Sequence, residues 1–141
     1  MEEMTPAERR EFLLEGPRTA NLATVREDGH PHVVPIWFVL DGDSLVFTTW
    51  HATVKAANMR RDSRVSICVD DQKPPFAFVM IEGTANIEEH PENFEYWTTQ
   101  IAGRYMGPEL AESYGKRNSV EGEWLVRVTP TKIIARRNIA D

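Results

Sequence analysis

Apolar and polar residues alternate from Arg64 to Asp70, with Val65, Ile67 and Val69 on one side and Ser66, Cys68 and Asp70 on the other. That period of two is the mark of a strand with one buried face. Strand formers also fill Ala20 to Val25, His32 to Leu40, Ser44 to Thr49, Phe76 to Ile87 and Trp124 to Ile134. Asp28-Gly29 is a hairpin turn signal between the first two of these, and Asp41-Gly42-Asp43 turns the chain into the next. Pro74-Pro75 breaks the alternation, and Gly83 interrupts the long strand where a bulge or barrel bend is expected. Helical patterns are fewer. Thr5-Pro6 is a cap and first-turn pair, and Phe12, Leu13 and Gly16 predict an amphipathic helix that stops before Pro17. Val54 to Arg61 reads as a short helix closed by Asp62 and Ser63. Pro91 to Met106 is the longest helix, ended by Gly107-Pro108, and a further piece spans Glu109 to Tyr114. Six strands with few parallel crossovers predict a mainly β fold: a small antiparallel barrel with short flanking helices rather than a doubly wound sheet.

Length and charge narrow the possibilities. The 141 residues fit one domain, 1–141, and show no internal repeat or linker. A hydrophobic share of 41% with 27% charged residues is ordinary globular composition. No apolar run reaches a membrane span, the N-terminus lacks a signal-peptide pattern, and one cysteine permits no internal disulfide, so a cytoplasmic protein is expected. A net charge of −6 without a basic stripe argues against nucleic acid as a partner. Any anionic ligand must be attracted locally.

Phe47 to Arg64 offers such a place. Thr49 to Thr53 is a strand-to-helix turn, which leaves backbone N–H groups without helical partners. Thr53 can cap the helix, but Lys55 lies in its first turn, where the positive end of the helix dipole disfavours a cation by about 0.3 to 1 kcal/mol. A bound anion would remove the conflict, making hydroxyls, orphan N–H groups and a lysine a candidate phosphate cradle. The alternative is an ordinary surface lysine. In His32-Val-Val-Pro-Ile-Trp-Phe38, Pro35 cannot donate to a ladder, so the strand is an edge there or faces something other than a strand, such as a flat ring. Trp37 is either core or the wall of a ligand pocket, and its bulk favours core. There is no dinucleotide fingerprint, phosphate loop or nucleophile elbow. The four histidines have no recognised metal spacing, and Cys68 reads as a small buried side chain.

In this order, the Gly-turned hairpin, His32-Val-Val-Pro-Ile-Trp37, Leu45-Val-Phe-Thr-Thr49, Thr53-Val-Lys-Ala-Ala-Asn-Met-Arg-Arg-Asp62, the acidic turn Val69-Asp70-Asp71 and Glu82-Gly-Thr-Ala85 resemble a known family. They resemble the flavin- and deazaflavin-dependent oxidoreductases of the pyridoxamine 5'-phosphate oxidase-like split β-barrel superfamily, and within it the coenzyme F420-dependent branch. The resemblance runs from about Thr19 to Arg136. It implies a homodimer of six-stranded split barrels with two cofactor sites at the interface. By position, it implies that Thr53 and Lys55 hold the phosphate, with His32 at a strand position that is often basic. It places Thr48 and Thr49 near the ring or phosphate, lines the ring with the backbone of Val34, Pro35 and Ile36, and turns Trp37 to the substrate. Asn58 and Arg61 take a supporting or tail-contacting role. Val54 departs from the oxidase pattern, which has an arginine beside the lysine, and this disfavours classical oxidase activity and tight flavin mononucleotide (FMN) binding. The activity implied is hydride transfer from reduced F420 to a small, electrophilic, planar, hydrophobic substrate. The alternatives are an FMN-dependent oxidoreductase on the same fold or a non-catalytic flavin or deazaflavin carrier. Tyr105, on a helix with Phe94, Trp97 and Ile101, is expected to pack on the barrel rather than to donate a proton.

Overall fold

The computed structural model describes residues 1–141. At the N-terminus the Thr5 hydroxyl accepts from the Glu8 N–H at 3.2 Å, and the Glu8 carboxylate accepts from the Thr5 N–H at 2.9 Å. This reciprocal cap, with Pro6 in the first turn, starts α1 (Pro6–Leu14). The strands are β1 (Glu2–Glu3), β2 (Ala20–Val25), β3 (Pro31–Ile36), β4 (Val39–Asp41), β5 (Ser44–Trp50), β6 (Arg64–Asp71), β7 (Ala77–Glu88) and β8 (Glu123–Arg137). The remaining helices are α2 (Val54–Arg61), α3 (Phe94–Met106) and α4 (Pro108–Asn118). None of the four helices is long and apolar enough to cross a membrane.

All strand pairs are antiparallel, in the order β3-β2-β6-β7-β8-β5-β4, with β1 added on β8. The sheet has eight strands rather than the six expected. Glu2–Glu3 carries no strand pattern of its own and is placed by pairing with Arg137 and Arg136. The anticipated His32–Leu40 strand is two strands, because the backbone at Phe38 bonds to α3 instead of to a strand. The Tyr105 hydroxyl accepts from the Phe38 N–H at 3.2 Å, and Arg104 donates to the Phe38 carbonyl at 2.8 Å. β3 and β4 are the two ends of the sheet, yet only Trp37 and Phe38 separate them. Two residues reach only about 10 Å even when extended, so the sheet must curl until the adjoining ends of its two edge strands come close. The result is a barrel split at that seam, not a closed one.

The inward residues of this curl form the core: Leu22, Phe38, Leu45, Phe47, Ile67, Val69, Val79, Ile81, Val126 and Val128 are all essentially inaccessible. Gly83 marks the anticipated irregularity, a register shift between Glu82 and Gly83 on the β7/β8 ladder. Cys68 is half-buried rather than a core side chain, because it lies on the outer face of β6. α4 continues four residues past the expected end at Tyr114. Gly115 is no stop signal here: a Cβ on it would collide with the Thr99 hydroxyl, and its carbonyl accepts from Thr98 Oγ1 at 2.7 Å. The glycine lets α3 and α4 approach closely.

Candidate functional site

The start of α2 is built from hydroxyls. Thr53 Oγ1 accepts from the Ala56 N–H at 3.2 Å, donates to the Trp50 carbonyl at 2.9 Å and sits 2.8 Å from Thr49 Oγ1. This knot caps the helix but uses the Thr53 hydroxyl fully, and Thr49 is buried behind it. The N–H groups of Val54 and Lys55 have no partner within the protein, as expected for the first helical turn. Lys55 is half-buried, and its ammonium donates to no group of the protein. Burial pushes its ammonium below the ordinary lysine range, and the nearby Glu123 carboxylate pulls the other way. Glu123 mirrors it: burial pushes the carboxyl above its ordinary range, opposed by Lys55, Arg117 and His51.

Lys55 opens onto a cavity of about 320 Å³, lined also by Thr19, Pro35, Ile36, Trp37, Thr48, Ile101 and Asn118. One wall is apolar and flat. The Trp37 ring stacks on Tyr105 with centroids 5.0 Å apart and an interplanar angle of 1°. Trp37 is therefore not core, as its bulk suggested, but 42% exposed at the cleft. Tyr105 is held by its hydroxyl, which donates to the Arg18 carbonyl at 2.7 Å besides accepting from Phe38. Burial pushes its phenol above the ordinary range, so it is a fixed support for Trp37 and a poor acid at neutral pH. Pro35 lies on the edge strand β3, opposite Asn21 of β2 and with no strand on its other side. A flat ligand lying there displaces no ladder bond at that residue.

Of the eleven residues singled out from the sequence, the cavity brings together Pro35, Ile36, Trp37, Thr48 and Lys55. Thr49 and Thr53 support it from behind. Val34 and His32 lie farther along β3, opposite Leu22 and Thr24, and His32 Nδ1 is enclosed without a hydrogen-bond partner. Asn58 and Arg61 point to β2. Asn58 is buried and donates to Thr24 Oγ1 at 3.0 Å, while Arg61 donates to Asn58 Oδ1 at 3.2 Å and to the Val25 carbonyl. Thr19, Ile101 and Asn118 were not anticipated, nor was Glu123. Asn118 lies beyond the expected helix end at Tyr114, and the others carry no motif. Larger depressions exist, of about 600 Å³ and about 550 Å³ beside α1 and about 750 Å³ between β4 and α3. None of these joins a helix start to an unpaired lysine, so the convergence of donors selects the smaller one.

A family profile described as pyridoxamine 5'-phosphate oxidase matches residues 5–136. Among solved structures, the conserved hypothetical protein Rv2991 from Mycobacterium tuberculosis is 29% identical with a TM-score of 0.84, over 98% of this chain and 89% of that one. An F420 reductase is 29% identical with a TM-score of 0.69, over 87% of this chain and 94% of that one. A FAD-binding protein from Mesorhizobium loti has a TM-score of 0.71 over 95% of this chain and 93% of that one, but at 18% identity the likeness is one of fold. Comparison with curated proteins finds no match.

Proposed function

Because the chain belongs to the pyridoxamine 5'-phosphate oxidase-like split-barrel family, we propose that its cleft holds the phosphate and ring of coenzyme F420. On this reading the protein is an oxidoreductase that passes a hydride to a small, electrophilic, planar, hydrophobic substrate. The observation that carries it is the meeting, in one cavity, of an unpaired lysine at a helix start with a flat apolar wall. The residues suit the group: Lys55 and the two orphan N–H groups match a phosphate, and Pro35, Ile36 and the Trp37 stack match a planar ring. When bound, reduced deazaflavin supplies the hydride. Lys55 binds and orients, while Ile36 and Ile101 keep water from the ring face. Tyr105 positions Trp37 and holds its own proton.

A cavity of about 320 Å³ is near the lower limit for a ligand site, so most of a tricyclic cofactor with its tail would extend beyond it. Trp37 of the cavity lining is exposed, and so are two valines near lining residues in the chain, Val33 on β3 at 64% and Val54 beside Lys55 at 51%. A second copy of the chain covering these residues would complete the site, making the functional unit a homodimer.

One observation favours FMN instead. A polyanionic tail would recruit Arg60 and Arg61, yet Arg61 is committed to β2, and Arg60 pairs with Glu89 at 3.4 Å and lies over the Trp124 ring. Parallel fluorescence titrations decide between them. F420 is expected to bind more tightly by about 1 to 2 kcal/mol, since FMN loses the charge-assisted bond of the missing arginine at Val54. Equal or reversed affinities would establish the FMN reading, and failure to bind either would end both.

A further inference from the structure

The start of α2 has an anion of its own. Glu123 lies opposite Trp50 in the β5/β8 register. The turn between Trp50 and α2 is tied to the residue before it, because the His51 N–H donates to the Gly122 carbonyl at 2.9 Å and His51 Nδ1 lies 3.0 Å from the same oxygen. Gly122 has a φ of +96°, and a Cβ there would lie 2.6 Å from the Trp50 ring, so the approach is built for glycine. Glu123 is thereby held, half-buried, beside the first turn of α2, where the helix dipole favours a negative charge. Its carboxylate makes no hydrogen bond. The groups facing it are His51 from the turn, Lys55 from α2 and Arg117 from α4.

Resting on the phosphate site proposed above, we propose that Glu123, which stops short of an ion pair with Lys55, competes electrostatically with a phosphorylated ligand for that lysine, so that binding is strengthened when Glu123 takes up a proton. Glu123 and the ligand phosphate compete for one lysine and one helix start. Two anions there would repel in a partly desolvated site, and protonating the carboxyl relieves the repulsion. The direction of the Glu123 shift agrees, since burial already raises its proton affinity. Glu123 is thus a gate on affinity that sets the pH range in which the site accepts its anion.

The test compares wild type, Glu123→Gln, Lys55→Ala and the double variant, titrated with oxidised F420 and with FMN between pH 5 and pH 8.5. The ratio of Glu123→Gln to wild-type affinity cancels the ligand's own titration and the contributions of His51 and Arg117. At pH 8 the ratio is expected to be about tenfold, within the usual range for coupling between sites, and to fall toward one as the pH drops and Glu123 is neutralised. The gain should shrink in the Lys55→Ala background, where the competition for the lysine is gone and only the direct repulsion between the two anions remains. Calorimetry of wild type and Glu123→Gln, in two buffers of different ionisation enthalpy, should show that wild type takes up more protons on binding, with Glu123→Ala as the second reference should the glutamine variant fold poorly. A ratio of one at pH 8, an equal gain without Lys55, or no extra proton uptake would overturn the role of Glu123 while leaving the site intact. Unchanged affinity in Lys55→Ala, or no binding by wild type, would instead overturn the site itself and Glu123 with it.

Discussion

Lys55 sits where its own helix opposes it, in the first turn of α2 and partly desolvated. A bound phosphate repairs that conflict, so Lys55→Ala should lose about 1.5 to 3 kcal/mol of cofactor binding, the worth of hydrogen bonds to charged groups. The apo protein should keep its melting temperature, because the substitution also removes an unfavourable dipole contact. Cofactor-induced stabilisation in thermal unfolding should shrink in step with the affinity. Lys116, exposed and paired with Glu112 at 3.3 Å, provides the control, and Lys116→Ala should change neither quantity. Gly122 makes the opposite kind of prediction. Its φ of +96° and its contact with Trp50 leave no room for a side chain, so Gly122→Ala should destabilise the apo fold by about 1 to 3 kcal/mol. Denaturant unfolding at constant m-value would measure it, and an unchanged midpoint would show that Trp50 and the turn can move aside.

α2 was legible to the residue, because Thr53, Asp62 and the apolar positions between them are local signals that no distant contact overrides. The hairpin turn at Gly29, the alternation of β6 and the irregularity at Gly83 were legible for the same reason. What could not be read is set by partners remote in sequence. The break at Trp37 and Phe38 comes from Arg104 and Tyr105, more than sixty positions away, and the length of α4 comes from Thr99 packing on Gly115. The site divides in the same manner. The motif running through Lys55, Asn58 and Arg61 was visible, but only the structure separates the lysine at the cavity from the two residues that fasten α2 to β2. Asn58→Ala should therefore act on stability. It removes a buried bond to Thr24 and frees Arg61, a loss of about 1 to 3 kcal/mol, with cofactor affinity preserved wherever the variant is folded. Equal stability with weakened binding would instead give Asn58 the tail-contacting role, one of the two that the family resemblance implied.

A split barrel leaves its seam as a matter for the whole assembly. β3 is an open edge, and Pro31 and Pro35 remove two of its donors, so further strands cannot add there with a full ladder. The edge instead presents Val33 and Trp37 as exposed apolar side chains, and Val54 beside Lys55 is exposed as well, near a site too shallow for the cofactor proposed. A second copy that buries these residues would need roughly 800 Å² on each chain, a common size for a stable homodimer. Light scattering across a micromolar concentration series is therefore expected to give the dimer mass. Replacing Val33 by glutamate would place a charge inside that contact, away from the phosphate cradle to which Val54 belongs, and the position is exposed enough in the monomer for the chain itself to fold. The variant should sediment as a monomer and lose cofactor affinity in the same step, because the proposed site is shared. Lys55→Ala should separate the two effects, remaining a dimer while binding weakly. A wild-type monomer that binds cofactor with full affinity would show that one chain holds the whole site, and the exposed apolar residues would then belong to the substrate.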